Sequence, residues 1–331
     1  MKTKLTLLWL FTAMVAAAVP ARPENTGTVV MVDPALREIV PADAKIEKLA
    51  GGFKFTEGPV WAHAGYLLFS DIPQKRINKW TPDGKVKAFL KAGDNPGTKS
   101  FVDLSFDSNG LTLDRQGRLT ICEQTNRRVS RLEKDGRLTV LADKYEGGRF
   151  SSPNDLVYKS DGALYFTDPP YGLPQGDDDP GKELKFNGVY RLMNGRLQVL
   201  IKDLTRPNGL AFSPDEKFFY VAVSDPAKEI WMRYDVEADG TVANGQVFFD
   251  VTSSTEDGLP DGMKVDQKGN VYGTGPGGIW IFSPAGKHLG TIKPPEVTAN
   301  CAWGDGDGKT LYMTASTGLY RIRLKIAGVR P

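Results

Sequence analysis

Six short segments of the sequence each begin with a side chain that can bind a cation through oxygen. They start at Glu57, Asn109, Asn154, Asn208, Asp261 and Asn300. A glycine follows in most copies, and then a short apolar stretch, as in Asn208-Gly209-Leu210. If the six units are arranged around an axis, this pattern predicts a ring of carboxylate and amide oxygens, which are the ligands that hard divalent cations prefer.

The charges of the ring candidates favour one divalent cation. Glu57 and Asp261 would repel each other in a narrow channel unless a cation lay between them. With the amide oxygens of Asn154 and Asn208 they form a four-ligand set that suits Ca²⁺ first. Mg²⁺, Mn²⁺ or Zn²⁺ can substitute in principle, zinc less well because the six positions hold no His or Cys. Four ligands leave coordination positions open for water or substrate, so the cation would act as a Lewis acid.

A turn is the alternative explanation of the same pattern. Asn-Gly and Asp-Gly are favoured wherever the backbone needs a positive φ. For Asn109 and Asn300 a turn accounts for the residues as well as a ligand does, although Asn109 is retained as a candidate substrate contact. A turn does not account for Glu57, since Glu has no preference for turns and the following Gly58-Pro59 stiffens the segment.

The spacing of the six segments predicts the elements that must position them. Their starts are 39 to 54 residues apart, which is typical of a repeat architecture. Each unit contains short β-branched and aromatic stretches separated by turns, and four antiparallel strands per unit form a β-propeller blade. The sixth unit stops at its third strand, residues 318–325, while residues 46–49 form a spare strand. We therefore predict an all-β, six-bladed β-propeller over residues 44–331, closed by that N-terminal strand; the alternative is a β-sandwich or two stacked barrels.

The N-terminal residues predict export. Lys2 and Lys4 precede an apolar run over residues 5–19 and then small residues, the pattern of a cleaved signal peptide over residues 1–21. A transmembrane anchor is the alternative, but the apolar run is short for a span. Residues 22–43 are predicted to be an extended lead-in. The expected location is the periplasm or the medium, with no stable membrane anchor after cleavage.

The amino-acid composition indicates which classes of binding partner are expected. The chain has 40% hydrophobic and 25% charged residues and a formal net charge of +2, and it has no basic run interleaved with aromatics, so nucleic-acid binding is not expected. A small molecule is the expected partner, and the chain is expected to be a monomer or a weak oligomer. Cys122 and Cys301 could form a disulfide in an exported protein, but buried free thiols are the prediction.

Five blocks of sequence resemble the gluconolactonase and senescence-marker-protein (regucalcin) family. They occur in order over roughly residues 45–325, at 57–61, 152–155, 166–172, 207–212 and 260–265. The resemblance implies a six-bladed propeller, one divalent metal in its channel and hydrolysis of sugar lactones. By the matching blocks, Glu57, Asn208 and Asp261 would be metal ligands, and Asn154 a ligand or a contact for substrate and water. Asp261 would also be the catalytic acid or base, and Arg149 loosely matches a substrate-facing arginine.

The resulting functional hypothesis is a metal-dependent lactonase. The metal would polarise the lactone carbonyl, and water would attack while Asp261 accepts its proton. Two alternatives remain open: a non-catalytic propeller whose metal stiffens a binding module, and a hydrolase of organophosphates or aryl esters that uses the same site. A Ser-His-Asp hydrolase is not indicated, because the sequence has no G-x-S-x-G segment.

Overall fold

A computed structural model describes residues 26–94 and 102–330. The predicted signal segment, residues 1–21, lies outside the described residues. Three short 3-10 helices, Pro34–Glu38, Ile72–Gln74 and Gly176–Asp178, are the only helices in the described ranges. None of the helices described there has the length and apolar character that crossing a membrane requires.

The described chain begins with two strands that serve distant blades. These are β1 (Thr28–Met31) and β2 (Ile46–Gly51). The first two complete four-stranded antiparallel sheets follow directly. Blade 1 consists of β3 (Thr56–Ala62), β4 (Tyr66–Asp71), β5 (Arg76–Trp80) and β6 (Val86–Lys91). Blade 2 consists of β7 (Leu111–Leu113), β8 (Leu119–Glu123), β9 (Arg128–Leu132) and β10 (Leu138–Ala142).

Blades 3 and 4 repeat the same order after a small hairpin. The hairpin is β11 (Lys144–Tyr145) and β12 (Gly148–Arg149). Blade 3 consists of β13 (Leu156–Tyr158), β14 (Leu164–Asp168), β15 (Gly188–Met193) and β16 (Arg196–Ile201). Blade 4 consists of β17 (Pro207–Phe212), β18 (Phe218–Asp225), β19 (Lys228–Val236) and β20 (Val242–Asp250).

The last two blades each take a strand from the N-terminal region. Blade 5 consists of β21 (Met263–Val265), β22 (Val271–Gly275), β23 (Gly278–Phe282) and β24 (His288–Lys293), with β1 paired to β24 as a fifth strand. Blade 6 consists of β25 (Thr298–Gly304), β26 (Thr310–Ala315) and β27 (Gly318–Arg323), and β2 pairs antiparallel with β27 as its fourth strand. The N-terminal strand therefore occupies the outer edge of the last blade, which would otherwise expose unpaired backbone groups.

The predicted lead-in contains regular secondary structure among its described residues. Part of it is β1, and part is the helix Pro34–Glu38, which buries Leu36 against the blade 5 and blade 6 core. The outer edge of β24 offers free N–H and C=O groups, and β1 satisfies them.

The six blades form a closed ring. The inner strands β3, β7, β13, β17, β21 and β25 contact one another in this order, and β25 contacts β3. Aromatic side chains fill the spaces between neighbouring blades, as where Trp61 stacks on Tyr312 with ring centroids 5.3 Å apart. The prediction of a six-bladed β-propeller is confirmed. Cys122 and Cys301 are buried free thiols, as predicted.

Candidate functional site

The ring of polar residues lies where the inner strands begin. Glu57, Asn208 and Asn300 occupy the first half of their strands. Asn109, Asn154 and Asp261 each lie two positions before the first residue of theirs. Because the six inner strands surround one axis, these side chains gather at one mouth of the central channel. Asp261 is half-buried, and the other five are at most 5% exposed.

Close packing, and not a positive φ, explains three of the four glycines that follow the ring residues. Gly110, Gly209 and Gly262 do not have a positive φ. A Cβ atom at Gly209 would lie 2.2 Å from the carbonyl oxygen of Asp261, and one at Gly262 would lie 2.0 Å from Cγ of Asn300. Each of these glycines therefore makes room for the ring residue of the next blade, which corrects the turn interpretation at Asn109. Gly58, which follows Glu57, does have a positive φ, of 51°.

Two ring residues that the sequence pointed to as ligands present buried oxygens with no hydrogen-bond partner. They are Oδ1 of Asn208 and Oδ1 of Asp261, and Oδ1 of Asn109 is in the same state. The Asn208 amide is oriented by its Nδ2, which donates to Oγ of Ser224 at 2.8 Å. Buried acceptors without a partner are costly, and a bound cation would satisfy them.

Asp155 is a carboxylate at the ring that reasoning from the sequence missed. It occupies the glycine position of the third copy, and it is 3% exposed. Its Oδ1 accepts from the backbone N–H of Leu156 at 2.8 Å, and its Oδ2 lies 3.4 Å from Nδ2 of Asn300. The sequence did contain a signal, since an acidic residue replaces glycine in this copy alone.

Asn300 belongs to the most degraded copy, and it joins two carboxylates. Its Nδ2 donates to Oε2 of Glu57 at 3.0 Å as well as approaching Asp155. Its Oδ1 accepts from the backbone N–H of Cys301 at 2.8 Å, which orients the amide so that the donor faces the carboxylates. In the structure, Asn300 therefore links the carboxylates of Glu57 and Asp155.

The three carboxylates of this cluster hold protons more tightly than usual. Burial first, and then the charge of Asp155, raise the pKa of Glu57 to about 7. Burial, followed by the charges of Glu57 and Asp155, raises the pKa of Asp261 well above its ordinary value. Burial also raises the pKa of Asp155. A divalent cation would relieve the part of these shifts that comes from repulsion among the carboxylates, at Glu57 and Asp261.

The ligand chemistry fits a hard cation that uses both carboxylate and amide oxygens. Within the described ranges, no three His, Cys, Asp or Glu side chains are grouped closely enough to bind a metal by themselves. Any metal site at the ring therefore needs the Asn oxygens as well. Glu57, Asn154, Asn208 and Asp261 provide such a set, and a set composed of oxygen alone favours Ca²⁺, Mg²⁺ or Mn²⁺ over zinc.

Tyr171 is a second residue that sequence reasoning did not assign. Its hydroxyl donates to the carbonyl oxygen of Ser224 at 3.4 Å, and the side-chain hydroxyl of Ser224 contacts Asn208. Tyr171 as a whole is 40% exposed. Burial of the hydroxyl and the nearby charge of Asp261 raise the pKa of Tyr171 to about 12, so it is a neutral phenol near the ring.

The loop that carries Tyr171 is anchored by buried hydrogen bonds. Asp168 accepts from the backbone N–H groups of Ser151 and Ser152 at 2.9 and 2.7 Å. Oγ of Ser152 donates to the carbonyl of Pro169 at 2.6 Å and accepts from the N–H of Gly172 at 2.8 Å. The block 166–172 and the segment that precedes Asn154 are thus one connected unit.

Arg149 lies on the small hairpin and not among the ring residues. It is exposed, its backbone N–H donates to Glu183, and its guanidinium donates to the carbonyl of Asn126 at 3.3 Å. These contacts do not include a ring residue, and its role in substrate binding stays a prediction.

The sequence of this chain is similar to a described protein family and to several characterised proteins. A family model described as SMP-30/Gluconolactonase/LRE-like region matches residues 55–317. A gluconolactonase of Zymomonas mobilis subsp. mobilis is 39% identical over 313 residues, which cover 91% of this chain and 87% of that protein. A 6-deoxy-6-sulfogluconolactonase of Pseudomonas putida is 33% identical over 265 residues, which cover 78% of this chain and 82% of that protein.

A solved structure agrees with the sequence relatives. The gluconolactonase of Xanthomonas campestris superimposes with a TM-score of 0.80 at 34% sequence identity. The match covers 94% of this chain and 99% of that one. The similarity therefore extends over the whole propeller.

Proposed function

The chain belongs to the SMP-30/gluconolactonase/LRE-like family, and from this premise we propose that it is a divalent-cation-dependent hydrolase of sugar lactones. The relatives support the reaction, because three of them are named for the hydrolysis of gluconolactone or a sulfonated gluconolactone. The observation that carries the proposal for this chain is the pair of unpartnered buried oxygens on Asn208 and Asp261, beside the carboxylate of Glu57.

The cation is assigned to the channel mouth. Glu57, Asn154, Asn208 and Asp261 would hold it, and Ca²⁺ is the first candidate because all four donors are oxygens. A divalent cation there would supply Lewis-acid polarisation of the lactone carbonyl.

Asp261 is assigned the proton transfers. Asp261 has two carboxylate oxygens, so that one can bind the cation while the other accepts a proton. Water gives its proton to Asp261 as its oxygen bonds to the carbonyl carbon. The bond between that carbon and the ring oxygen then breaks, and Asp261 returns the proton to the departing oxygen. The product is an open-chain hydroxy acid, which ionises and releases a proton to the solvent.

Two uncharged groups are assigned to substrate binding. The hydroxyl of Tyr171 is near Asn208 and Asp261, and its raised pKa keeps it available as a hydrogen-bond donor to a sugar hydroxyl. Asn109 contributes an amide whose buried Oδ1 has no partner. The loop anchored through Asp168 holds Tyr171 at the rim of the channel.

The test is proton release from glucono-1,5-lactone, followed by titration at constant pH. We expect turnover that a chelator abolishes and Ca²⁺ or Mn²⁺ restores. Asp261→Asn should lower turnover by a factor of about 100 or more, the scale of general-base catalysis, and keep the melting temperature of a folded propeller. Asp178→Asn, which changes an exposed carboxyl on Gly176–Asp178, is the matched control and should be fully active.

Four outcomes would contradict the proposal. Full activity of Asp261→Asn would remove this residue from the reaction. Activity that survives complete chelation would remove the cation. Metal binding without turnover on a panel of lactones would identify a binding module, and turnover restricted to aryl esters or organophosphates would identify a different hydrolase.

We also propose that the chain is exported, because residues 1–21 have the charge and hydropathy pattern of a signal peptide. Expression of the full chain in a bacterial host, followed by fractionation, should place a shortened protein in the periplasm. A chain of unchanged mass in the membrane fraction would contradict this.

A further inference from the structure

The side chain of Lys264 lies inside the channel beneath the ring. Lys264 is the middle residue of β21, three positions after Asp261. Its neighbours Met263 and Val265 are buried in the core between blades 4 and 5, so by strand alternation Lys264 faces the other way. Its side chain lines an apolar channel cavity together with Leu156, Leu210 and Trp303.

Lys264 is not committed to an ion pair. Its Nζ donates to the carbonyl oxygen of Met263 at 2.9 Å. Among the described residues it has no carboxylate oxygen within 4 Å, since it takes part in none of their salt bridges. An ammonium group has three donors, and one hydrogen bond leaves two of them uncommitted. Its charge nevertheless acts on the ring, because it lowers the pKa values of both Glu57 and Asp155 against the effect of burial.

The charges at the channel mouth can be counted. Glu57, Asp155 and Asp261 bring three negative charges when ionised. Lys264 lines the channel cavity three residues after Asp261, and its positive charge acts on both Glu57 and Asp155. Three carboxylates and one ammonium leave two negative charges, which one divalent cation neutralises. Without the lysine, the same ring would hold one uncompensated negative charge after the cation binds.

We propose that Lys264 is a resident counter-cation that matches the charge of the ring to a single divalent ion. The inference rests on the metal site of the proposed function. Lys264 repels the incoming cation, so it weakens metal binding while it reduces the repulsion among the carboxylates of the metal-free protein. Lys264 therefore acts on the ring carboxylates through its charge and does not touch the substrate.

The test is calorimetric titration of Ca²⁺ into metal-free protein at pH 8. Lys264→Met keeps most of the apolar stem and removes the charge, and Lys264→Arg keeps the charge. We expect Lys264→Met to bind Ca²⁺ about tenfold more tightly or better, as follows from removing a unit positive charge near a dication at an effective dielectric constant of about 20. Lys264→Arg should bind within about threefold of the wild type, as expected when the charge is kept. Lys268→Met makes the same charge change at an exposed turn of the same blade and should leave affinity unchanged.

The outcomes separate this inference from the proposed function. A lysine needed only for packing would weaken binding or leave it unchanged when replaced by Met, and either result overturns the inference while the metal site stands. A second neutral variant, Lys264→Gln, should also bind more tightly, which guards against poor folding of one variant. Absence of Ca²⁺ and Mn²⁺ binding in the wild type and all variants would overturn both the metal site and the counter-cation.

Discussion

Replacing Glu57 by Gln should have opposite effects on stability and on metal binding. Glu57 is buried, and burial together with Asp155 raises its pKa from 4.5 to about 7. Between these two values the folded protein binds a proton that the unfolded chain has released. Stability therefore falls as the pH rises from about 4.5 to about 7, and the loss persists above pH 7.

The size of the effect follows from this pKa difference. At 1.36 kcal/mol per pKa unit, ionising Glu57 in the folded, metal-free protein costs about 3 kcal/mol above pH 7. Gln removes the charge and can still accept from Nδ2 of Asn300. With an unfolding entropy of about 2.1 cal/mol/K per residue over roughly 300 residues, 3 kcal/mol corresponds to about 5 °C in melting temperature.

The assay is differential scanning calorimetry of metal-free protein in chelator at pH 5 and pH 8. Glu57→Gln should melt about 5 °C above the wild type at pH 8 and close to it at pH 5. Its affinity for Ca²⁺ should fall by about tenfold or more, because the site loses one carboxylate. Glu38→Gln, at an exposed position, is the matched control and should change neither quantity. A variant that is less stable than the wild type at pH 8 would refute the reasoning that burial and Asp155 strain this carboxyl.

Three further predictions concern the ring and its rim. Asn300→Ala removes a donor 3.0 Å from Glu57 and should destabilise the metal-free protein at pH 8 by about 2 to 3 kcal/mol, measured by denaturant unfolding. An equal loss at pH 5 and pH 8 would show that Asn300 does not stabilise the ionised carboxylate of Glu57. Gly262→Ala places a Cβ 2.0 Å from Cγ of Asn300 and should lower the free energy of unfolding by about 1 to 3 kcal/mol. Gly306→Ala, where a Cβ meets open space, is the control and should leave the free energy of unfolding unchanged. Equal stabilities of the two variants would rule out close packing at Gly262. Tyr171→Phe should raise KM for glucono-1,5-lactone by about 2- to 12-fold, the value of one neutral hydrogen bond, and an unchanged KM would show that the hydroxyl does not contact substrate.

Much of the ring could be predicted because its signal is repeated along the chain. Each blade starts with the same short pattern, so Glu57, Asn154, Asn208 and Asp261 stand out from their neighbours in the sequence alone. The repeat also shows that the last unit lacks a strand, and β2 forms that pairing. The structure of the lead-in was harder to predict from the sequence, because β1 pairs with an edge of β24 that exists only after blade 5 has folded.

What the sequence determined by itself was the number of blades, the set of candidate oxygen ligands and the family resemblance, because these depend on local patterns that recur at a regular spacing. Only the tertiary structure decided the partners of those ligands. Asp155, Asn300 and Lys264 come from blades 3, 6 and 5, and the sequence separates Asn300 from Asp155 by 145 residues. Ring closure brings them to one place, and there the low dielectric of a buried channel makes the balance of three carboxylates and one ammonium energetically important.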